Sequence, residues 1–177
     1  MIGERLTKDA RKAVRDALDE ARRARASSIE PEHLLLALLD DPVLTSFQVV
    51  RADVEAAFAA ARRKGGLSAA DTEALRGLGI DVDRIVASVE QTMGEGALAV
   101  GPPRRRRWPR GSLPFAAGAR DVLERALREA RDLGQRPLRS EHLLLSLLAG
   151  GGLVEEVLAE RGVTYGGIRR LVSTRPT

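Results

Sequence analysis

The sequence states one pattern twice. Residues 10–39 return 109 positions later as residues 119–148, with no gap. Ala10, Arg11, Ala17, Leu18, Glu20, Ala21 and Arg22 recur as Ala119, Arg120, Ala126, Leu127, Glu129, Ala130 and Arg131. Glu32, His33, Leu34, Leu35 and Leu36 recur as Glu141, His142, Leu143, Leu144 and Leu145, followed by Leu38 and Leu39 as Leu147 and Leu148. About half of this window is identical, which chance does not produce at such length. Self-similarity at one fixed offset means two copies of a supersecondary unit, each supplying part of a shared core.

Each copy opens with apolar residues at helical spacing. Ala10, Ala13, Val14, Ala17, Leu18 and Ala21 form one stripe, and Ala119, Val122, Leu123, Ala126, Leu127 and Ala130 form its counterpart. Such a stripe marks a helix packed on a core, and its many alanines permit close approach. The opposite face carries Arg, Asp and Glu and reads as solvated. A polar connection follows, 25–30 and 134–139, and then a second helix whose leucines are spaced for full burial. The copies next diverge in length. In copy two, residues 153–162 and 165–172 read as two further helices separated at Gly162. The matching segments of copy one are 71–79 and 82–92, where Ile85 answers Ile168 and Val89 answers Val172 at an offset of 83. That change of offset predicts an extra helical insertion in copy one at about 41–67. The fold expected is all-α: two four-helix repeats related by a pseudo-twofold, 1–93 and 114–177, joined by a Gly/Pro/Arg linker over 94–113.

Composition narrows the chemistry. The 177 residues suffice for a core without staples, and the absence of cysteine removes disulfides, thiolate metal sites and a Cys nucleophile. No apolar run approaches the length of a membrane span, so a soluble, cytoplasmic chain with no membrane partner is expected. The net charge is only +4, because 25 carboxylates nearly balance 29 cations. One cluster escapes that balance: Arg104, Arg105, Arg106, Arg107 and Trp108, continuing through Pro109 to Arg110; it reads either as a solvated linker that charge keeps extended or as a partner-binding run gripping an acidic surface.

An amphipathic helix followed by Glu-His-Leu-Leu-Leu-x-Leu-Leu, twice and in the same order, resembles the N-terminal repeat domain of Clp/Hsp100 unfoldases, above all the ClpC type. The resemblance covers most of the chain. Where that family's second helix usually opens Gly-Thr-Glu-His, this sequence has Glu30-Pro31-Glu32-His33 and Arg139-Ser140-Glu141-His142. The unfoldases carry ATPase modules with Gly-x-x-x-x-Gly-Lys-Ser/Thr phosphate loops. This sequence contains none, so ATP hydrolysis is not expected; a stand-alone N-domain protein is the expectation, with a fragment of a longer chain as the alternative. The resemblance implies a non-catalytic protein-binding module without cofactors, whose partners are a Clp ATPase, an adaptor or protease substrates, with cyclic peptide antibiotics as further possible ligands. It also implies that Glu32 and Glu141 hold the guanidinium of phosphoarginine, a degradation mark, while the phosphate lies near a helix start. Each glutamate has a plainer reading as a first-turn acid that favours the helix dipole.

The flanks make the two sites unequal. Pro31 lacks an N–H and Glu30 adds negative charge, whereas Arg139 and Ser140 favour an anion. Phosphoarginine binding is therefore expected to be weak and to favour Glu141; Thr7 matches a threonine common in the family's opening segment. His33 and His142 lack the spacing of metal ligands, so no metal is expected, and buried histidines hydrogen-bonded between helices are. The alternative function is a basic nucleic-acid-associated protein gripping phosphates through Arg104–Arg107 with Trp108 stacking. It is disfavoured because the helical arginines interleave with acids instead of gathering on one face.

Overall fold

The computed structural model describes residues 6–99, 112–135 and 137–174. These form ten helices: α1 (Lys8–Arg23), α2 (Pro31–Leu38), α3 (Pro42–Thr45), α4 (Arg51–Arg63), α5 (Ala69–Gly77), α6 (Val82–Met93), α7 (Ala117–Asp132), α8 (Ser140–Leu148), α9 (Gly152–Ala159) and α10 (Tyr165–Ser173). Strands are absent among the described residues, and only two isolated bridges occur. No single described helix is long and apolar enough to cross a membrane.

The alanine stripes explain the central packing. Ala10, Ala17 and Ala21 of α1 and Ala119 and Ala126 of α7 are buried, so α1 lies close on α2 and α7 on α8. Beneath them, Leu34, Leu35, Leu143, Leu144 and Leu145 are essentially inaccessible and merge into one core shared by both repeats. Both first helices end alike. Ala26 N–H donates to Ala21 O and Gln135 N–H to Ala130 O, each at 2.8 Å, across a left-handed residue. That residue is Gly134 at φ 66° in copy two but Arg25 at φ 53° in copy one, where a side chain bears the strain glycine avoids.

The repeats exchange their leading segments. Thr7 N–H donates to Leu138 O at 2.9 Å, and Ala116 N–H donates to Ile29 O at 3.0 Å. Thr7 and Ala116 are repeat partners, as are Ile29 and Leu138, so the two bonds are images under the pseudo-twofold. Each repeat thus satisfies backbone groups at the other's turn before its second helix.

An extra helical segment exists, but it is α5–α6 and not the 41–67 stretch that the sequence suggested. The physical evidence lies in the corner between the third and fourth helices. Phe47 N–H bonds Leu44 O and Gln48 N–H bonds Thr45 O, as Arg161 N–H bonds Leu158 O and Gly162 N–H bonds Ala159 O. Gln48 and Gly162 both have positive φ, 55° and 74°. At this register α3–α4 corresponds to α9–α10 with an offset of 114, and Val54 and Phe58 take the buried places of Ile168 and Val172. A pair of buried acids agrees. Glu20 of α1 receives Arg51 at 3.1 Å, and its partner Glu129 of α7 receives the Tyr165 hydroxyl at 2.9 Å; Arg51 and Tyr165 again differ by 114. The α5–α6 hairpin repeats the same corner, with Ile80 N–H on Leu75 O and Gly79 at φ 82°. It buries little: Thr72 on α5 and Val82 and Val86 on α6, while Ile85 is 49% exposed.

Candidate functional site

The exchange of leading segments leaves two clefts between the repeats, related by the same pseudo-twofold. The first, about 780 Å³, is walled by Glu30, Pro31, Glu32 and His33 of copy one and by Gly118, Asp121 and Arg125 of copy two. The second, about 490 Å³, is walled by Arg139, Ser140 and Glu141 and by Asp9, Lys12 and Asp16 of α1. Every residue in each set of three from α7 or α1 is the repeat partner of one in the other. Leu147 and Val122 give the first cleft an apolar floor; Leu38 and Ala13 do so in the second.

The structure brings Thr7, Arg139, Ser140 and Glu141 into one cavity, and Glu32 into the other. Thr7 caps α1, its hydroxyl accepting from Ala10 N–H at 3.3 Å. Ser140 is the first residue of α8 and is buried at 8% exposure, and Glu141 is buried beside it at 7%. In the first cavity Pro31 occupies the place of Ser140, so that helix start offers one donor fewer. Residues 104–108, the candidate partner-binding run, lie outside the described residues.

Three features of the walls were missed from sequence. Asp9, Lys12 and Asp16 look like the solvated face of α1, yet with Asp40 and Asp41 they line the second cavity. Five carboxylates there, Glu141 included, face two cations, Lys12 and Arg139, and Lys12 is itself paired to Asp16 at 2.6 Å. In the first cavity the neglected residue is Arg62 of α4, which donates to Glu32 Oε2 at 3.0 Å. Burial raises the Glu32 carboxyl above its ordinary pKa, and Arg62 opposes that rise. Arg62 was hidden because its segment read as insertion; its place on the last turn of a core helix is visible only at the corrected register.

The histidines do local work. His33 Nδ1 accepts from Glu30 N–H at 2.9 Å, and His142 Nδ1 accepts from Arg139 N–H at 3.0 Å. Each ring closes the amino end of its own helix, satisfying an amide the helix leaves orphaned. This differs from the bridge between helices that burial alone suggests. Burial lowers both imidazole pKa values, against the nearby Glu30 and Glu141 carboxylates respectively, and so favours the neutral rings this cap requires. Among the described residues no three His, Cys, Asp or Glu side chains are grouped to hold a metal ion.

The chain matches the family model described as "Clp repeat (R) N-terminal domain" over residues 5–65, 57–160 and 114–175. The first and last ranges coincide with α1–α4 and α7–α10. It is 31% identical over 170 residues to the chloroplastic chaperone protein ClpC1 of Arabidopsis thaliana, covering 96% of this chain and 15% of that protein. It is 29% identical over 173 residues to the chaperone protein ClpB of Oceanobacillus iheyensis, covering 97% of this chain and 17% of that one. The chain thus spans about a sixth of the length of these curated relatives. Among solved structures, the N-terminal domain of the chaperone ClpD from Arabidopsis thaliana superposes with a TM-score of 0.58 at 20% identity, covering 99% of this chain and 96% of that one. The Hsp104 N-terminal domain from Candida albicans gives 0.55 at 17% identity, covering 93% and 87%. These two likenesses speak to the fold.

Proposed function

From its membership of the Clp repeat N-terminal domain family, to which this chain belongs, we propose that it is a non-catalytic protein-binding module of Clp-mediated proteolysis. It recognises a substrate, an adaptor or a Clp ATPase through the paired cavities between its repeats. The observation that carries this reading is the cavity pair itself: two clefts related by the pseudo-twofold, each with a first-turn glutamate in its wall. A buried or half-buried carboxylate beside a helix start is suited to a guanidinium, which it engages by a forked, charge-assisted pair.

Phosphoarginine is the ligand this reading favours, with the Glu141 cavity as the better site. Ser140 retains the backbone N–H and a hydroxyl, and Arg139 adds positive charge at the cavity wall. The surrounding aspartates favour the guanidinium end and oppose the phosphate, so the affinity is weak. Calorimetric titration of free phosphoarginine into the wild type, Glu32→Ala and Glu141→Ala proteins tests this. Saturable millimolar binding lost in Glu141→Ala is expected. Unchanged binding in that variant refutes the assignment. Affinity capture that recovers no Clp subunit, adaptor or protease substrate counts against the wider function.

A further inference from the structure

The wall of the first cavity carries a charge pair of the chain's own. Glu32 already holds a guanidinium. Arg62 Nη1 lies 3.0 Å from Glu32 Oε2, and Arg62 lines the same cavity. The pair is neither deeply buried nor fully wet: the Glu32 side chain is 22% exposed and that of Arg62 46%.

Arg62 is not a loose surface side chain that happens to reach an acid. The two residues after it tie the end of α4 to the extra hairpin. Arg63 forks onto Glu90 of α6, Nη2 to Oε2 at 2.8 Å and Nε to Oε1 at 3.3 Å, and Lys64 Nζ lies 2.7 Å from Asp83 of α6. Glu90 is further fixed by Gly96 N–H at 2.9 Å. The last turn of α4 is therefore held on one side by the hairpin, and its next side chain inward is delivered to Glu32. The hairpin that buries so little of its own surface is thus fastened to the wall of the first cavity.

We propose that Arg62 is an internal occupant of the first cavity, a guanidinium of the chain itself that a ligand's guanidinium must displace from Glu32. This rests on the reading of the cavities as guanidinium sites and deepens it. The first cavity is a self-closed site whose apparent affinity is reduced by the fraction of time Arg62 is in place, and the α6 clamps set that fraction. Arg62 is accordingly a specificity-determining residue: it rejects weak cations and admits only ligands that also gain from the rest of the cleft.

The test is an NMR titration of the isotopically labelled protein with two probes, free phosphoarginine and L-arginine amide. Amide shifts near Ser28 and His33 report the first cavity, and those near Lys12 and Ser140 the second. Removing a partly exposed competing ion pair, worth up to about 1 kcal/mol, strengthens binding at the first cavity by up to about fivefold. Arg62→Ala is expected to lower the first-cavity Kd of either probe by that factor and to leave the second cavity unchanged. Glu90→Gln with Asp83→Asn, which leaves the cavity wall intact, is expected to shift it in the same direction by less. Adding Glu32→Gln to Arg62→Ala is expected to abolish the gain. A first-cavity Kd that is unchanged or weaker in Arg62→Ala, while Glu141-dependent binding persists, overturns the internal-occupant proposal alone. Absence of binding at both cavities in every variant overturns it together with the proposed function.

Discussion

The repeat provides its own control for helix capping. Thr7 and Ala116 occupy the same place in the two copies with nearly the same backbone, φ −64° and ψ 169° against φ −61° and ψ 164°. Both N–H groups make the same bond across the pseudo-twofold. Only Thr7 has an oxygen to offer its helix, at 3.3 Å from Ala10 N–H, while α7 starts without a side-chain cap. Replacing a Thr or Ser N-cap by Ala usually costs about 0.5–2 kcal/mol. The 3.3 Å separation is long for such a bond, so Thr7→Ala is assigned the lower half of that range, roughly 0.5–1 kcal/mol. Ala116→Thr should return the same amount. For a domain of this size that corresponds to about 1–4 °C in Tm, with both values obtained from urea titration and thermal melts followed by circular dichroism. The swapped double variant should then match the wild type, because the two caps lie on different helices and share no partner. If Ala116→Thr leaves stability unchanged or lowers it while Thr7→Ala destabilises, the equivalence of the two helix starts is wrong.

Other consequences are simpler to state. Arg25→Gly should raise stability by about 0.5–1 kcal/mol, because Arg25 sits at φ 53° where its repeat partner is Gly134; a destabilised variant in urea titration would contradict that. Ser146 is fully buried and donates to Val122 O at 2.5 Å, so Ser146→Ala should cost about 1 kcal/mol by the same assay. His33 and His142 have folded pKa values below the ordinary imidazole value. The unfolded chain therefore binds more protons as pH falls below about 6.5, and stability present above that pH is lost on the way down. Glu32 acts in the opposite sense, since its raised pKa gives stability that fades as pH rises through the carboxylate range. Tm measured from pH 7.5 to 5.5 should fall, and fall less in a His33→Gln/His142→Gln variant; equal slopes would refute the assignment. Excising residues 68–95 across a short Gly/Ser linker should leave a cooperative melt, since that segment sits outside both repeats.

The duplicated Glu-His-Leu-Leu-Leu motif and the alanine stripes made the all-α, two-repeat architecture and the family legible from sequence, because helical periodicity survives in every core-facing position. The third and fourth helices of copy one did not show, for a local reason. A glycine normally marks the left-handed corner, and copy one places Gln48 there. Gly79 of the hairpin supplied the expected punctuation and drew the alignment to α5–α6 instead. Of the candidate residues, Arg139, Ser140 and Glu141 stood out because they lie in or beside the repeated motif, and Thr7 because of the family resemblance; all four line one cavity. Asp9, Lys12, Asp16 and Arg62 were not, because which charged residues wall a cleft depends on how the repeats face each other, and no spacing within one helix encodes that.

The exchanged leading segments also shape how the molecule comes together. Each α1–α2 or α7–α8 hairpin joins neighbours in sequence and can assemble early. The bonds that lock the repeats together, Thr7 to Leu138 and Ala116 to Ile29, join residues 131 and 87 apart. Long closures of that kind are entropically slow and come late in folding. Both cavities lie across this seam, so neither exists until it has closed. A ligand in either cleft therefore binds only the finished molecule and slows its opening, which makes unfolding rate, as much as affinity, a readout of occupancy.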